Sequence, residues 1–382
     1  MTGGLKNRGR TKEDVEERRK GLEDATGASL EHIAHTSFDP MLAEKNVENM
    51  VGCVQVPLGF VGPLLINGDH AKGEFFVPMA TTEGALIASV NRGCSAISAS
   101  GGADVLIIKD EMTRAPVFRT KGVRDSKRVV DFVNSHFHEI KAEAETTTRH
   151  GKLIKVRAFA TGRSLYLRFS YDTGDAMGMN MATIATEAAS RYIEKETGIT
   201  MVSVSGNLCV DKKPSAMNFI DGRGKIVLAD VTIPKDVVEG RLRTTVDSAV
   251  ETCYRKNLVG SAMAMSLGHN AHIANILAAV FIATGQDPAQ VVEGSMGMTT
   301  CERSGEDLYL SVRLPSLEVG TVGGGTRLPC QKEALSLMDC VGAGKAKKFA
   351  EIVTGATLAG ELSTLAAQSA GELGKAHREL GR

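Results

Sequence analysis

Residues 116–204 carry the pattern that most limits how this chain can fold. Short runs of alternating apolar residues, which predict strands, are interleaved here with two longer stretches of helical apolar spacing. The predicted elements, in order, are a strand at Val117–Arg119, a helix at 125–144, a strand pair at Lys152–Ala160 and Ser164–Tyr171, a helix at 176–196 and a strand at Met201–Val204. This β-α-β-β-α-β order predicts a ferredoxin-like unit.

The segments on either side of this unit contain longer helical patterns. Residues 1–50 are predicted to form a polar helical segment, and 51–115 together with 205–382 a large helix-rich domain. The unit at 116–204 is then a small inserted domain, and the whole fold is α+β. The N-terminus has no apolar core and the apolar stretch at 258–284 is interrupted by polar residues, so we expect no signal peptide, no membrane contact and a cytoplasmic protein.

Charge and cysteine content exclude several classes of function. The 45 basic residues balance the 45 acidic ones, which argues against a protein that binds nucleic acid through its phosphates. The seven cysteines are odd in number and form no Cys-x-x-Cys pair, so we predict neither a disulfide framework nor a zinc site. No other cluster has metal-ligand spacing, and we expect no bound metal.

Two segments have the composition of phosphate-binding loops. Asp175–Met181 lies where the predicted strand pair leads into the second predicted helix, whose free N–H groups suit the pyrophosphate of a dinucleotide. The alternative is a helix capped by Asp175, with its methionines packed in a core. The glycines of Gly320–Thr326 suit a phosphate or merely a turn. Neither segment has Rossmann or P-loop spacing.

Four charged or titratable residues stand out from their surroundings. Lys212 lies in Asp211–Pro214, where the proline favours an extended backbone. Glu83 opens a helix that has no other acidic residue, and Asp287 follows an apolar helix at the end where a negative charge opposes the helix dipole. His377 lies near the end of the chain. Lys212, Glu83 and His377 each also have an ordinary explanation, as a charged turn, a helix-dipole contact and a solvated histidine, whereas the conflict at Asp287 indicates a functional site.

Taken in order, these segments resemble the hydroxymethylglutaryl-CoA reductase family. The resemblance covers residues 40–382 and rests on Met79–Leu86, Asp175–Met181, Ser205–Asn207, Asp211–Pro214, Gly285–Asp287 and Gly320–Thr326, with Glu48–Gly52 on the CoA side. The Met-Asn-Met ending of the second segment is closer to class I, and the lack of a membrane domain implies a soluble archaeal-type member. The family's fold is also a large helical domain with an inserted ferredoxin-like domain.

The resemblance implies a reaction and its participants. The implied reaction is an NADPH-dependent four-electron reduction of (S)-3-hydroxy-3-methylglutaryl-CoA to (R)-mevalonate and CoA, by two hydride transfers through a mevaldehyde-level intermediate. It further implies NADPH rather than NADH, CoA as part of the substrate, and a homodimer or homotetramer with shared active sites.

Matched positions imply individual roles. Glu83 would protonate the carbonyl oxygen, Lys212 would stabilise the oxyanion, Asp287 would link these two, and His377 would protonate the departing CoA thiolate. The implied substrate residues are Arg114, Ser205, Asp211, Lys213, Lys256, His272 and Asn275. The implied cofactor residues are Asn91, Arg92, Asp175, Met177, Gly178, Met179, Asn180, Gly323, Gly324 and Gly325.

Two other functions are open at this point. One is a different NAD(P)-dependent acyl-CoA or aldehyde reductase, which product analysis would distinguish. The other is a nucleotide-binding module without catalysis, which would use exposed aromatic residues on a sheet to bind RNA. The chain has no Trp and no aromatic-rich strand, which disfavours the second.

Overall fold

The structure, a computed structural model, describes residues 8–371 of the chain. In that part, ten strands are hydrogen-bonded into one continuous sheet system. The strands are β1 Leu58–Gly68, β2 Lys72–Ala80, β3 Ala103–Arg114, β4 Val117–Arg119, β5 Lys152–Thr161, β6 Ser164–Asp172, β7 Thr200–Ser203, β8 Gly224–Ile233, β9 Met298–Ser304 and β10 Asp307–Leu317.

Fourteen α-helices lie between residues 8 and 371. They are α1 Lys12–Thr26, α2 Glu31–Ala34, α3 Leu86–Ala99, α4 Val123–Ser135, α5 Phe137–Glu145, α6 Met179–Thr197, α7 Ala216–Asp221, α8 Lys235–Gly240, α9 Val246–Thr252, α10 Ser261–Met263, α11 Ile273–Thr284, α12 Val291–Gly294, α13 Pro329–Ser336 and α14 Ala346–Ser369. A π-helical stretch at Cys253–Gly260 joins α9 to α10, and 3-10 turns lie at Pro40–Ala43, Pro288–Gln290 and Gly324–Arg327.

The larger part of the sheet has the order β2-β1-β3-β8-β10-β9. Helices α3, α11 and α14 pack with it around the main hydrophobic core. Every residue of α14 from Phe349 to Ala367 is buried, so this helix runs through the core and not along a surface. None of the helices in the described part of the chain combines the length and apolar composition that crossing a membrane requires.

The smaller part of the sheet has the order β7-β4-β6-β5, with all neighbours antiparallel. This is the strand order that a β-α-β-β-α-β unit adopts in the ferredoxin-like arrangement. Its buried apolar residues, from Met112 to Ile199, form a second cluster of their own. The predicted α+β fold with a ferredoxin-like unit is therefore confirmed, whereas the domain limits stay a prediction. Strand β3 pairs with β8 and, through its last three residues, with β6.

The first helix predicted in this unit is in fact two helices, α4 and α5. The backbone leaves helical geometry at His136, with φ −112° and ψ 30°. The His136 ring Nδ1 lies 3.1 Å from Phe132 O and 2.9 Å from Ser135 Oγ, and the ring stacks on Phe132. These local contacts compete with the regular helical bonding, which apolar spacing alone does not reveal.

Candidate active site

Lys212 and Asp287 are far apart in sequence and form an ion pair. Lys212 Nζ lies 3.2 Å from Asp287 Oδ2, with the lysine side chain 47% exposed and the aspartate 32%. Asp287 precedes the turn at Pro288–Gln290, and its Oδ1 accepts a hydrogen bond from Ala289 N at 3.0 Å. A pair this open to solvent adds little to folding stability. Its ammonium group is accessible to a ligand.

Asp211, the residue before Lys212, lies between two arginines. Its Oδ1 is 3.2 Å from Arg223 Nη1, and its Oδ2 is 3.8 Å from Arg114 Nη1. Burial acts to raise the pKa of the Asp211 carboxyl, but the charge of Arg223 and a hydrogen bond from Gln290 outweigh it and hold that pKa below its ordinary value. Asp211 is therefore an anion that orients Arg114.

Two more predicted substrate residues belong to the same loop. Lys213 Nζ donates to the main-chain oxygen of Asp211 at 3.1 Å. Ser205 Oγ lies 3.8 Å from Cys209 Sγ, and Arg114 Nη1 lies 4.0 Å from the same sulfur. The structure thus brings together Arg114, Ser205, Asp211, Lys212, Lys213 and Asp287, which we call the Lys212 cluster.

Arg223 is a fully buried arginine that binds two fully buried glutamates next to this cluster. Its Nη1 lies 2.6 Å from Glu318 Oε2 and 3.1 Å from Glu293 Oε1. Burial and the neighbouring charge of Glu293 raise the pKa of Glu318 well above its ordinary value, although Arg223 acts against the shift. Carboxylate oxygens of Asp211, Glu293 and Glu318 lie within 4.8 Å of one another, and Arg223 is the cation that they surround.

Glu83 belongs to a different group, at the start of α11. Asn275 Nδ2 donates to Glu83 Oε1 at 3.2 Å and lies 3.4 Å from Nδ1 of His272, the residue before the helix. Glu361 on α14 accepts a hydrogen bond from His272 N at 2.8 Å. Burial lowers the pKa of Lys256, although the charge of Glu361 opposes the shift. We call Glu83, Lys256, His272 and Asn275 the Glu83 cluster.

The two clusters lie at opposite ends of α11. Asn275 is in the first turn of that helix, whereas Asp287 follows its C-cap, Gly285. Residues 275–284 span about 14 Å at the rise of an α-helix. Within residues 8–371, Glu83 makes no hydrogen bond or ion pair with Lys212. Within one chain, the predicted proton donor, Glu83, therefore lies apart from the predicted oxyanion-binding lysine, Lys212.

The two glycine-containing segments pack side by side. Thr321 N donates to Asp175 O at 2.9 Å, and a Cβ on Gly320 would lie 2.5 Å from Met177 N, so only glycine permits this approach. Gly323 and Gly324 have φ values of 81° and 54°, with open space where side chains would be. Their backbone is accessible to a ligand.

For Asp175–Met181, the sequence left two explanations open: a phosphate-binding helix start, or a helix capped by Asp175 with its methionines in a core. The structure decides between them for individual residues. Asp175 does not cap α6, because the N-cap is Gly178 with φ 87° and no side-chain cap. The Asp175 carboxylate instead accepts hydrogen bonds from Gly344 N at 2.7 Å and Ala346 N at 3.0 Å, at the start of α14. The cap prediction was wrong because the carboxylate is bound by a segment about 170 positions away in the chain.

The methionines of this segment do pack in a core, as the alternative predicted. Met177 and Met179 contact the second hydrophobic cluster, and Arg223 Nη2 lies 2.6 Å from Met179 Sδ. The uncapped start of α6, which includes Asn180, still leaves main-chain N–H groups without helical partners. Packing of the side chains and ligand binding by the backbone are compatible.

Asn91 and Arg92, the remaining predicted cofactor residues, lie on α3 near Glu83. Asn91 Oδ1 accepts a hydrogen bond from Gly62 N at 2.9 Å, and Asn91 lines a cleft together with Glu83. Arg92 Nη2 donates to Ser363 O at 2.6 Å. Within residues 8–371 neither side chain is hydrogen-bonded to the segment at 175–180, so the predicted cofactor residues also form two groups.

Comparison with known proteins identifies the family. Residues 14–382 match the family model described as hydroxymethylglutaryl-coenzyme A reductase. The chain belongs to this family. The resemblance found in the sequence motifs is thereby confirmed over almost the whole chain.

Archaeal members of the hydroxymethylglutaryl-CoA reductase family are similar to this chain over nearly their whole length. The 3-hydroxy-3-methylglutaryl-coenzyme A reductase of Methanocaldococcus jannaschii is 56% identical over 375 residues, which cover 96% of this chain and 93% of the relative. The one from Pyrococcus abyssi is 55% identical over 377 residues, covering 96% and 92%. These relatives confirm the archaeal type predicted from the motifs.

A solved structure of a bacterial family member supports the fold. The class II 3-hydroxy-3-methylglutaryl-CoA reductase of Streptococcus pneumoniae, bound to NADPH in open conformations, superposes with a TM-score of 0.72 at 22% identity and covers 92% of this chain and 86% of that one. At this low identity, the likeness confirms the fold alone.

Some site residues were missed in the sequence, and one predicted residue lies outside the described part. His377 follows residue 371 and has no structural account. Arg223, Glu293 and Glu361 were not predicted, although each is fully buried and binds the segments that carry predicted site residues. The signal in the sequence was a charged residue amid apolar and small neighbours, as in Val292-Glu293-Gly294 and Gly360-Glu361-Leu362.

Proposed function

We propose that this chain reduces (S)-3-hydroxy-3-methylglutaryl-CoA to (R)-mevalonate and CoA with two NADPH, through a mevaldehyde-level intermediate, in the mevalonate route to isoprenoids. The observation that carries the proposal is 56% identity, over 96% of this chain, to an archaeal protein of that name. A different acyl-CoA or aldehyde reductase is the competing function, which that identity disfavours.

NADPH supplies one hydride in each of the two reduction steps. The residues proposed to hold it are those of the two glycine-containing segments, Asp175–Asn180 and Gly323–Gly325, and Asn91 and Arg92 on α3. The open backbone at Gly323 and Gly324 and the uncapped start of α6 fit a pyrophosphate, because both present main-chain N–H groups. Gly325 packs against Gly285, two residues before Asp287, which connects this loop to the Lys212 cluster.

Lys212 is proposed to stabilise the negative charge that develops on the carbonyl oxygen at each hydride addition. A fixed cation works there because it needs no reorientation when the charge forms. The ion pair with Asp287 supports this role, since it fixes the direction of the ammonium group. Arg114, Ser205, Asp211 and Lys213 are proposed to bind the substrate beside it.

Glu83 is proposed to donate the proton that completes the alcohol, and Asp287 is proposed to link Glu83 and Lys212 electrostatically. Its contact with Asn275 fixes one carboxyl oxygen and leaves the group next to His272. His377 is proposed to protonate the CoA thiolate, which would otherwise recapture the aldehyde. Lys256, His272 and Asn275 are proposed to bind the substrate on this side.

The complete site is proposed to form between two chains, in a homodimer or a homotetramer. The separation of the two clusters along α11 supports this, because two subunits could bring Glu83 of one chain and Lys212 of the other to the same substrate. We also propose that the enzyme works in the cytoplasm, in keeping with seven unpaired cysteines.

The deciding experiment is an assay of the purified protein with hydroxymethylglutaryl-CoA and other acyl-CoA thioesters, each with NADPH and with NADH. We expect mevalonate as product, two NADPH oxidised per CoA released, and slower turnover with NADH. Faster reduction of another acyl-CoA, or release of an aldehyde as the end product, would contradict the proposal.

A further inference from the structure

Lys212 lies in a loop whose backbone is held in an unusual conformation. Three residues of this loop that are not glycine have positive φ: Asn207 at 62°, Val210 at 55° and Lys212 at 60°. Residues with a Cβ rarely adopt this region unless the surroundings hold them there. The direction of the Lys212 side chain therefore depends on what binds the loop backbone.

Glu293 is the group that binds it. Glu293 Oε1 accepts a hydrogen bond from Lys212 N, and Glu293 Oε2 accepts one from Asn218 Nδ2 at 2.8 Å. The same Asn218 amide donates to Val210 O at 3.1 Å. The Glu293 carboxylate thus acts directly on Lys212 and, through Asn218, on Val210, a second of the three residues with positive φ.

The segment that carries Glu293 also carries Asp287. Asp287, Gln290 and Glu293 are three positions apart, so they share one face of the short helical stretch Pro288–Gly294. Along this face, Asp287 binds the Lys212 ammonium group, Gln290 Nε2 donates to Asp211 Oδ1 at 3.0 Å, and Glu293 binds Lys212 N. Residues on one helical face therefore bind both the side-chain ammonium group and the main-chain N–H of Lys212.

We propose that Glu293 is a positioning residue for the reduction: it fixes the Lys212 backbone so that the ammonium group meets Asp287 and the developing oxyanion. This inference rests on the proposed function of Lys212. Glu293 itself is fully buried and is not placed in contact with substrate or cofactor. Its effect should therefore appear in turnover and not in the binding of NADPH, whose proposed site is formed by other segments.

The test compares Glu293→Gln with Glu318→Gln. An amide at position 293 sets an N–H₂ group against either Lys212 N or Asn218 Nδ2, so the loop must shift. Glu318 is the matched control, because it is equally buried and binds the same Arg223 Nη1. In the described residues Glu318 makes no hydrogen bond to Lys212.

We expect Glu293→Gln to lower kcat about 10- to 100-fold, because a small misplacement of a catalytic group costs this much. KM for NADPH and the affinity for NADPH, measured by fluorescence, should change less than about threefold, as should kcat in Glu318→Gln. Glu293→Gln added to Lys212→Ala should cause no further loss of kcat, because the proposed effect of Glu293 on turnover passes through the Lys212 ammonium group.

A second variant covers the case in which Glu293→Gln fails to fold. Glu293→Asp keeps the charge beside Arg223 but is one methylene too short to reach Lys212 N, and it should show the same selective loss of kcat. Equal losses in the two glutamine variants, a further loss in the Lys212→Ala background, or loss of NADPH binding in both position-293 variants would each overturn the proposal. A wild-type protein without reductase activity would instead overturn the proposed function, and this inference with it.

Discussion

At Lys212, an accessible charge is combined with a buried backbone anchor. Its ammonium group is close to Asp287 and open to solvent, while its main-chain N–H is bound by the fully buried Glu293. A reacting group needs access to the substrate, and it also needs a fixed direction. Different atoms of Lys212 meet these two demands. For this reason Asp287, which binds the ammonium group, is partly exposed, whereas Glu293, which binds the main-chain N–H, is buried.

Glu83 provides a direct test of the proposed proton donor. Glu83→Gln is expected to fold normally and to bind NADPH, but to lose about 10²- to 10⁴-fold in kcat, since the amide cannot donate a proton in the same way. Steady-state kinetics and NADPH fluorescence measure the two effects. Glu74→Gln, an exposed glutamate on β2, is the control and should retain wild-type turnover. Near wild-type turnover in Glu83→Gln would refute the assignment.

His377 is expected to matter in only one half of the reaction. His377→Ala should slow reduction of the thioester more than reduction of free mevaldehyde, because only the thioester releases a thiolate that needs a proton. The residue lies outside the described part of the chain, and a truncation after Gly374 should have the same effect. The measurement is the ratio of the two half-reaction rates. An equal fall in both rates would show that the histidine does not protonate the thiolate.

Among the elements, α14 organises both the core and the Glu83 cluster. It carries two buried glutamates that bind main-chain N–H groups in other parts of the fold. Glu351 Oε2 accepts hydrogen bonds from His70 N and Ala71 N at 2.9 and 2.6 Å, in the turn between β1 and β2. Glu361 accepts hydrogen bonds from the residues that precede α11. This helix is therefore anchored by polar contacts as well as by apolar packing.

Helices α14 and α3 cross so closely that the addition of a single methyl group should disturb their packing. A Cβ on Gly93 would lie 1.9 Å from Ala359 O, so Gly93→Ala must push the helices apart. We expect the free energy of unfolding to fall by about 1–3 kcal/mol, measured by denaturant titration. Gly240→Ala is the control, because a Cβ added at Gly240 would meet nothing within 4 Å, and it should not destabilise. Equal stability of both variants would contradict the close crossing.

For the whole molecule, α11 makes the proposed site depend on association. The Glu83 cluster is at its start and the Lys212 cluster at its end, about 14 Å of helix apart. If Glu83 and Lys212 serve one reaction, we expect them to come from two different chains. An active monomer in sedimentation experiments would refute this arrangement.

Mixing two inactive variants tests the shared site. Glu83→Gln and Lys212→Ala, each strongly impaired alone, should regain activity when mixed and allowed to exchange subunits. Random exchange makes half of the dimers mixed, each with one intact site of two, so about a quarter of wild-type activity is expected. The Glu83→Gln, Lys212→Ala double variant mixed with an equal amount of either single variant is the control and should stay inactive. No recovery in the first mixture would place both residues in one chain's site.

Features that depend on neighbouring residues were predictable from the sequence. The hairpin of β5 and β6 follows from alternation on both sides of a turn at Gly162, whose φ is 57°. The end of α6 at Gly198, with φ 73°, follows from the need for a left-handed residue after the last turn. The family motifs are also local, so the residues of the candidate site could be named one by one.

Other features were decided by tertiary contacts. The hairpin of β9 and β10 is absent from the predicted elements, although its residues pair over seven positions and β10 also pairs with β8. From the sequence, Asp287 was expected to oppose the dipole of α11. In the fold it instead begins a new helical turn and binds Lys212. Local propensity is a weak guide where packing partners are distant.

The sequence by itself determined the fold class and which residue types can carry the chemistry, because both depend on periodicity and short motifs. Only the tertiary structure decided which of those residues meet. Lys212 and Glu293 are 81 positions apart, and Glu83 and Asn275 are 192 apart. A contact at such a separation is set by the packing of whole elements, and no local pattern encodes it. For the same reason, the separation of Glu83 from Lys212 becomes visible only once α11 lies between them.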